Sequence, residues 1–247
     1  MKRNNSKYTI QNTLMILVVF IIVVSCQKKD TNYSKTSLPQ AFLKVELHSS
    51  FDVFLKEDSV YSIRAIGRQD VIESLLFTVT DSVLKIEDPR KSEWRTPKSN
   101  KVTLYITSPP LSQVTTYEAC NIETLTPITS QEFGLVLGGK ANEATLDLKC
   151  DVFYYWSGSV SGGKITLTGN CNELKLWNTG LIQIDAMNLT TDYALIENKS
   201  RGTCEVNVAN KLDYAIYNSG DIIVHGSPAE INELSKKQGA LGQLIQK

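Results

Sequence analysis

Carboxylates are the side chains in this sequence whose type and spacing come nearest to catalytic chemistry. Two carboxyl groups about 5 to 9.5 Å apart can perform glycoside hydrolysis. The repeat described below predicts that Asp192 and Asp213 lie close together, with Glu173 beneath them. We favour the alternative of a solvated acidic surface, because exposed acidic residues are the norm. The candidate carboxylates are Asp147, Asp151, Asp185, Asp192, Asp213 and Asp221.

Other signatures of catalysis are missing from the sequence. It contains no nucleophile elbow, no phosphate-binding glycine loop and no Cys/His spacing typical of a metal site. Its two histidines, His48 and His225, lie far apart along the chain and offer little material for a histidine-rich metal centre. We therefore expect no enzymatic activity, no bound metal and no cofactor.

Aromatic residues offer a different chemistry, that of ligand binding. Tyr117, Trp156, Trp177 and Tyr217 occupy one position of a repeat, just after two residues that share one face of the strand. If this column faces outward, it could stack sugar rings or bind a protein partner. The alternative is an inward stack at a corner of the fold, which the usual burial of large aromatics favours.

Four cysteines follow residue 26, and two of them have repeat spacing. Cys150 and Cys171 each precede a tryptophan by six residues, so we expect them on adjacent turns. A strand separation of about 4.8 Å lies within the range that a disulfide tolerates. The sequence leaves open whether they form a disulfide or remain buried thiols, and Cys120 and Cys204 are open in the same way.

The repeat that positions these residues has a period of about 20. Its six successive anchors are spaced 21, 18, 21, 20 and 20 residues apart. Before each anchor stand two residues of one parity, and after each comes a turn, such as Asn178-Thr-Gly180, and a second alternating run. The pattern predicts a right-handed parallel β-helix-like solenoid over residues 111–247, with a C-terminal cap. An antiparallel β-sandwich would explain the alternation but not the period. The anchors are Tyr117, Gly138, Trp156, Trp177, Glu197 and Tyr217.

The preceding residues, 38–110, have a different composition. Gly67 is the only glycine before Gly134, and apolar residues alternate as in antiparallel strands. Phe77 and Val79 are expected to pair with a following strand across a hairpin. We predict an antiparallel β region that covers one end of the solenoid.

The start of the chain is typical of an exported protein. An apolar run of eleven residues, 14–24, is about half the length that spans a bilayer and matches a signal-peptide core. The run leads into Cys26 and resembles a bacterial lipoprotein lipobox, which implies cleavage after residue 25 and lipid attachment to Cys26. Residues 26–37 are then the lipidated cysteine and a polar tether. Gln27 after the cysteine resembles the sorting signal for the outer membrane, and the protein is expected there, with surface exposure left open.

Charge excludes one class of partner. The chain has 26 basic and 26 acidic residues, and three lysine or arginine residues are the only charges before residue 26. Removing those three leaves 23 basic residues against 26 acidic ones. A nucleic-acid-binding protein would normally carry a basic excess, so we expect no nucleic-acid partner.

Four short segments resemble one bacterial family. They read FDVFL at 51–55, DSVLKI at 81–86, VTLYITSP at 102–109 and GDIIVHGSP at 220–228. Together they look like the putative auto-transporter adhesin family with a head GIN domain, over residues 41 to 244. The resemblance implies a β-helix-like fold in a lipoprotein or secreted protein and carries no catalytic residues.

These observations predict a lipid-anchored binding protein of the cell envelope. Its partners would be the membrane, through the lipid on Cys26, and a glycan or a surface protein. A structural or assembly component of the outer membrane surface is the first alternative. A carbohydrate-active β-helix enzyme ranks last.

Overall fold

The chain winds into a β-solenoid of about six turns, each of about 21 residues. A computed structural model describes residues 32–90, 101–158 and 161–247. The solenoid predicted from the repeat is confirmed, and the strands before it form a mixed sheet that continues the same stack. The predicted signal peptide and Cys26 lie outside the described residues.

The first half of the described chain contains short strands and one short helix, α1. These elements are β1 Tyr33–Ser37, β2 Lys44–Leu47, β3 Asp52–Glu57, β4 Ser62–Gly67, α1 Gln69–Ser74, β5 Leu76–Thr80, β6 Val83–Glu87, β7 Thr103–Ser108, β8 Gln113–Thr116 and β9 Asn121–Thr124. The second half contains longer strands, some of which continue around corners. They are β10 Glu132–Leu137, β11 Ala141–Ser157, β12 Ser161–Ser200, β13 Cys204–Ile216, β14 Ile222–His225, β15 Glu230–Lys236 and β16 Leu244–Gln246.

Two stacks of strands run the length of the molecule. Sheet I contains, in order, β5, β6, β2, β8 and β10, followed by the second half of β11 and parts of β12, β13 and β15. Sheet II contains β1, β4, β7, β3 and β9, followed by the first half of β11 and parts of β12, β13, β14 and β16. Because β11 contributes to both sheets, the chain passes from one to the other at each turn.

Inward columns of apolar side chains hold the turns together. In sheet I, successive register partners Val45, Val114, Leu135, Tyr155 and Leu176 are all fully buried. Alternation along each strand sends every second side chain into this column and its neighbour to the outside. Fully burying one such side chain contributes about 1.5 to 3 kcal/mol, before chain entropy is subtracted.

The N-terminal strands differ from the prediction in direction and extent. The hairpin of β5 and β6 is confirmed, with Phe77 opposite Ile86 and Val79 opposite Leu84. However, β2 and β3 pair in parallel with their neighbours and belong to the solenoid, and the antiparallel pairs are those that involve β1, β4 and β5. The tether prediction was wrong for residues 33–37, because this polar segment forms β1 on the edge of β4.

Asparagines form a buried polar layer at one corner. Asn178 and Asn198 are completely buried, and their amides lie 3.4 Å apart on neighbouring turns. Asn198 donates hydrogen bonds to the carbonyls of Gly202 (3.2 Å) and Gly220 (2.9 Å). In the predicted turn at residues 178–180, Gly180 has the expected positive φ of 91°. Asn178 stabilises this corner through side-chain hydrogen bonds and not through a positive φ.

Candidate aromatic binding site

Two tryptophans lie side by side on the outer face of sheet I. Trp156 on β11 and Trp177 on β12 are direct register partners. Trp156 is 49% exposed and Trp177 is half-buried, while the residues before them, Tyr155 and Leu176, are fully buried. Strand alternation therefore points both indole rings away from the core, so the inward corner stack is wrong for this pair.

Glycines make room for flat aromatic rings on this face. A Cβ atom at Gly158 would lie 2.6 Å from Cη2 of Trp156, so the indole extends over that glycine. A Cβ atom at Gly134 would lie 2.0 Å from Cζ of Tyr154, so the phenol ring covers Gly134 on the turn below. A larger residue at either position would displace the ring.

The rings line a shallow, open groove on this face. Val136, Tyr154, Trp156 and Trp177 line a depression of about 380 Å³, and we call these four residues the aromatic platform. The Tyr154 hydroxyl donates a hydrogen bond to Oε1 of Gln113 (3.3 Å), which fixes the ring across the sheet. Burial, and then the charge of Glu132, raise the pKa of Tyr154, so its hydroxyl remains a neutral donor and acceptor.

Charged side chains border the platform. Lys175 is the register partner of Tyr154, and its Nζ lies 2.7 Å from Oε2 of Glu173. Both side chains of this ion pair remain partly exposed, at 31% and 43%. An apolar surface with donors and acceptors at its edge is the usual composition of a small-ligand site.

The predicted four-member aromatic column is wrong for its two tyrosines. Val136 pairs with Trp156 on one side and with Thr115 on the other. The column that contains Trp156 therefore continues to Thr115 and not to Tyr117. The exposed Tyr117 ring lies two positions further along and stacks on His48, with ring centroids 4.2 Å apart.

At the other end of the repeat, Ala215 is the register partner of Glu197. Tyr217 therefore lies two positions beyond the predicted column, with Nζ of Lys199 5.1 Å from its ring centroid. Neither tyrosine belongs to the aromatic platform.

The candidate carboxylates do not form the predicted pair. Asp192 lies at a register irregularity and accepts a hydrogen bond from Asn210 (3.1 Å), while Asp213 is the register partner of Leu195. Asp213 accepts hydrogen bonds from Tyr193 and Asn232, both at 2.9 Å.

Electrostatics also distinguish Asp213 from a general acid. Burial alone would raise the pKa of Asp213, but the hydrogen bonds from Asn232 and Tyr193 and the charge of Lys211 lower it below its usual value. Burial, and then the hydrogen bond to Asp213 and its charge, raise the pKa of Tyr193 to about 12. Asp213 is thus held as a carboxylate inside a polar network, whereas a general acid needs a raised pKa.

Cys150 and Cys171 lie where the repeat places them. They are register partners on neighbouring turns, and both are buried free thiols in this structure. Burial raises the pKa of Cys150 to about 12 and that of Cys171 to about 11. Cys120 and Cys204 are also buried free thiols, and the disulfide stays a prediction.

The described residues hold neither a metal-binding cluster nor a membrane-spanning helix. Across 32–90, 101–158 and 161–247, no group of three or more His, Cys, Asp or Glu side chains could hold a metal ion. In the same part of the chain, no helix has the length and apolar character needed to cross a membrane.

A family model decides the relationship suggested by the four segments. The model described as putative auto-transporter adhesin, head GIN domain, matches residues 41–228. The chain belongs to this family. The adhesin family's name describes attachment to surfaces, and the match covers strands β2 to β14 and the whole aromatic platform. The comparison with curated proteins finds no match.

Three solved structures share this fold. A putative adhesin from Bacteroides fragilis is 20% identical, with a TM-score of 0.79 over 90% of this chain and 98% of that one. A putative lipid binding protein from Parabacteroides distasonis is 15% identical, with a TM-score of 0.63 over 88% and 97%. A putative adhesin from Parabacteroides merdae is also 15% identical, with a TM-score of 0.63 over 88% and 96%. At these identities the likeness shows the fold.

Sequence reasoning missed two members of the platform, Tyr154 and Val136. Both side chains point outward from strands that the sequence analysis recognised by their buried, inward-facing residues. Gly134 was the available signal, because a glycine within an otherwise alternating strand often marks a close approach by another group. Here the approaching group is the ring of Tyr154.

Proposed function

We propose that this protein is a lipid-anchored, non-catalytic adhesin of the cell envelope that binds a glycan on the aromatic platform. The observation that carries the proposal is the outward-facing pair of register-matched rings, the exposed Trp156 and the half-buried Trp177. A pyranose ring presents an apolar C–H face and a polar rim of hydroxyls. The platform offers the complementary surface, with flat rings at its centre and the Lys175–Glu173 pair at its edge.

The shape of the groove favours a glycan over a protein partner. Protein interfaces usually bury about 800 Å² on each partner. The platform is a shallow depression lined by four residues, which suits one or two sugar rings. The spacing of adjacent strands, about 4.8 Å, is close to the length of a sugar unit, so successive rings could stack on successive turns.

Replacing both tryptophans should abolish most of the binding without unfolding the protein. Stacking on an aromatic ring is worth about 1 to 3 kcal/mol per ring in the comparable case of nucleobases. The Trp156→Ala/Trp177→Ala variant should therefore bind at least about tenfold more weakly, since 1.4 kcal/mol corresponds to one decade. Binding would be measured on a glycan and matrix-protein array and then by calorimetry, with folding checked by circular dichroism.

Tyr117→Ala is the matched control for this experiment. Tyr117 is as exposed as Trp156 but stacks on His48 outside the platform, so its removal should leave binding unchanged. Unchanged binding by the folded double variant would contradict the proposed site. Signals from protein spots alone would contradict the glycan assignment.

Lipid attachment is tested by one substitution at the predicted cleavage site. The thiol of Cys26 would carry the diacylglyceryl group, and several acyl chains on one residue give stable membrane attachment. Cys26→Ala should leave the precursor uncleaved and without acyl mass, while the wild type fractionates with membranes. Intact-mass analysis checks both. Wild-type protein that is recovered without acyl mass would contradict the anchor, and glycan binding would be unaffected by that result.

A further inference from the structure

Strand β5 ends sheet I at its N-terminal side, and its outer edge has no partner among the described residues. Its sequence, Leu76-Phe-Thr-Val-Thr80, has no charge and no proline, and β-branched and aromatic residues dominate it. Such an edge strand is open to pairing with another strand.

The other terminal strands are protected against pairing. At the far end of sheet I, β15 carries Glu230, Glu233 and Lys236, and a register shift interrupts its pairing with β13. The last strand of sheet II, β16, has only three residues. At the first edge of that sheet, β1 is polar and contains Lys35. Charges, irregularity and short length are the usual devices that block edge pairing, and β5 has none of them.

The hairpin geometry shows which backbone groups of β5 are available. Asp81 and Ser82 have φ values of 50° and 62°, as in the two-residue turn that closes on a hydrogen-bonded pair, here Thr80 and Val83. Hydrogen-bonded and non-hydrogen-bonded pairs alternate along an antiparallel ladder, so the pair Val79–Leu84 is not hydrogen-bonded.

By the same alternation, Phe77 and Ile86 are a non-hydrogen-bonded pair, and an observed contact confirms this. The carbonyl of Ile86 accepts a hydrogen bond from the backbone N–H of His48 (2.9 Å) on the opposite side of β6. Ile86 therefore directs its backbone groups away from Phe77. It follows that the N–H and C=O groups of Phe77 and Val79 point outward from the free edge of β5.

We propose that β5 pairs antiparallel with β5 of a second copy of this chain, around a two-fold axis through Thr78. In that register Phe77 lies opposite Val79 of the second copy, and Val79 lies opposite Phe77 of the second copy. Each of the two pairs exchanges two main-chain hydrogen bonds, so four form in total. If the register of the two strands shifted by two residues, only one of these hydrogen-bonded pairs would remain within β5. A shift by one residue would place the side chains on the wrong faces of the sheet.

Side-chain chemistry matches this self-pairing. Phe77 and Val79 are only partly buried against the core, and each would cover the other across the axis. Leu76, which is 46% exposed, would pack against Thr80 of the second copy. Isologous contacts of this kind are closed by the two-fold axis, so they predict a dimer without further growth. This inference is independent of the glycan proposal, because β5 and the aromatic platform share no residue.

Cysteine cross-linking tests the register directly. Two Thr78 residues would face each other as a non-hydrogen-bonded pair, with Cα atoms about 4.5 Å apart, which lies within disulfide range. Full-length Thr78→Cys should therefore migrate mainly as a dimer on a non-reducing gel. Thr80→Cys, which would face Leu76, should migrate as a monomer, as should the wild type. Equal cross-linking at residues 78 and 80 would overturn the register.

Charge substitutions test the dimer itself. The wild type in detergent should have twice the monomer mass by light scattering, whereas Thr78→Lys and Thr78→Glu should each be monomeric, because like charges would face each other. An equimolar mixture of the two variants should recover the dimer mass. Ser235→Lys adds the same charge to β15 and should leave the dimer intact. A monomeric wild type, or failure of the mixture to recover, would overturn the proposal.

Discussion

Leu176→Asp is expected to unfold the solenoid at neutral pH. Leu176 is completely buried and lies in the inward column beside its register partner Tyr155. A carboxylate there would lie between two turns without a partner, at a cost of several kcal/mol. That cost is a large part of the roughly 5 to 15 kcal/mol that stabilises a typical domain. Because each turn of a solenoid is stabilised by its neighbours, the loss should spread beyond one turn. Thermal unfolding followed by far-ultraviolet circular dichroism measures it.

Lys175→Asp is the matched control, since it introduces the same side chain one position away. Lys175 points outward and forms an exposed ion pair with Glu173, and such a pair is worth less than about 1 kcal/mol. The control should therefore lose at most about that amount of stability. Similar losses at the two positions would contradict the parity that places Leu176 inside and Trp177 outside.

The repeat in the sequence predicts the solenoid because each turn needs the same inward pairs. It does not predict strand direction, since apolar alternation looks the same in parallel and antiparallel strands. For this reason β2 and β3 read as part of an antiparallel region, although they pair with β8 and β9 of later turns. Residues 33–37 have no apolar signal at all, and their strand depends on the free edge that β4 offers.

The tryptophan pair was predictable because 21 residues separate Trp156 from Trp177, which is one full turn. Tyr217 was placed wrongly because register shifts between β12 and β13 change the offset between partners. Ile184 faces Cys204, 20 positions later, whereas Glu197 faces Ala215, only 18 positions later. A β-bulge of this kind leaves no pattern in the apolar residues, so a fixed period cannot reveal it.

Asn198→Asp should be strongly destabilising, although it leaves side-chain volume unchanged. Asn198 is completely buried, and its Nδ2 donates to two carbonyl oxygens, those of Gly202 and Gly220. Its Oδ1 accepts from the backbone N–H of Ser200 (3.1 Å). Aspartate would keep the acceptor but place a second oxygen against the two carbonyls. Burying this charge with one oxygen against two carbonyls should cost roughly 3 to 5 kcal/mol at neutral pH.

The pH dependence of that loss separates charge from shape. Burial would raise the pKa of the new carboxyl above the unfolded value of about 3.9, so above that pH the native state would hold more protons than the unfolded state. Stability relative to the wild type should therefore fall as pH rises through about 4 towards the raised pKa, and it should be least impaired below that range. Denaturant unfolding of both proteins at matched pH values measures the difference. Asn210→Asp, at an exposed residue that donates one hydrogen bond to Asp192, should lose no more than about 1 kcal/mol. A deficit at Asn198 that does not change with pH would mean that the corner depends on the two donated hydrogen bonds alone and accommodates the charge.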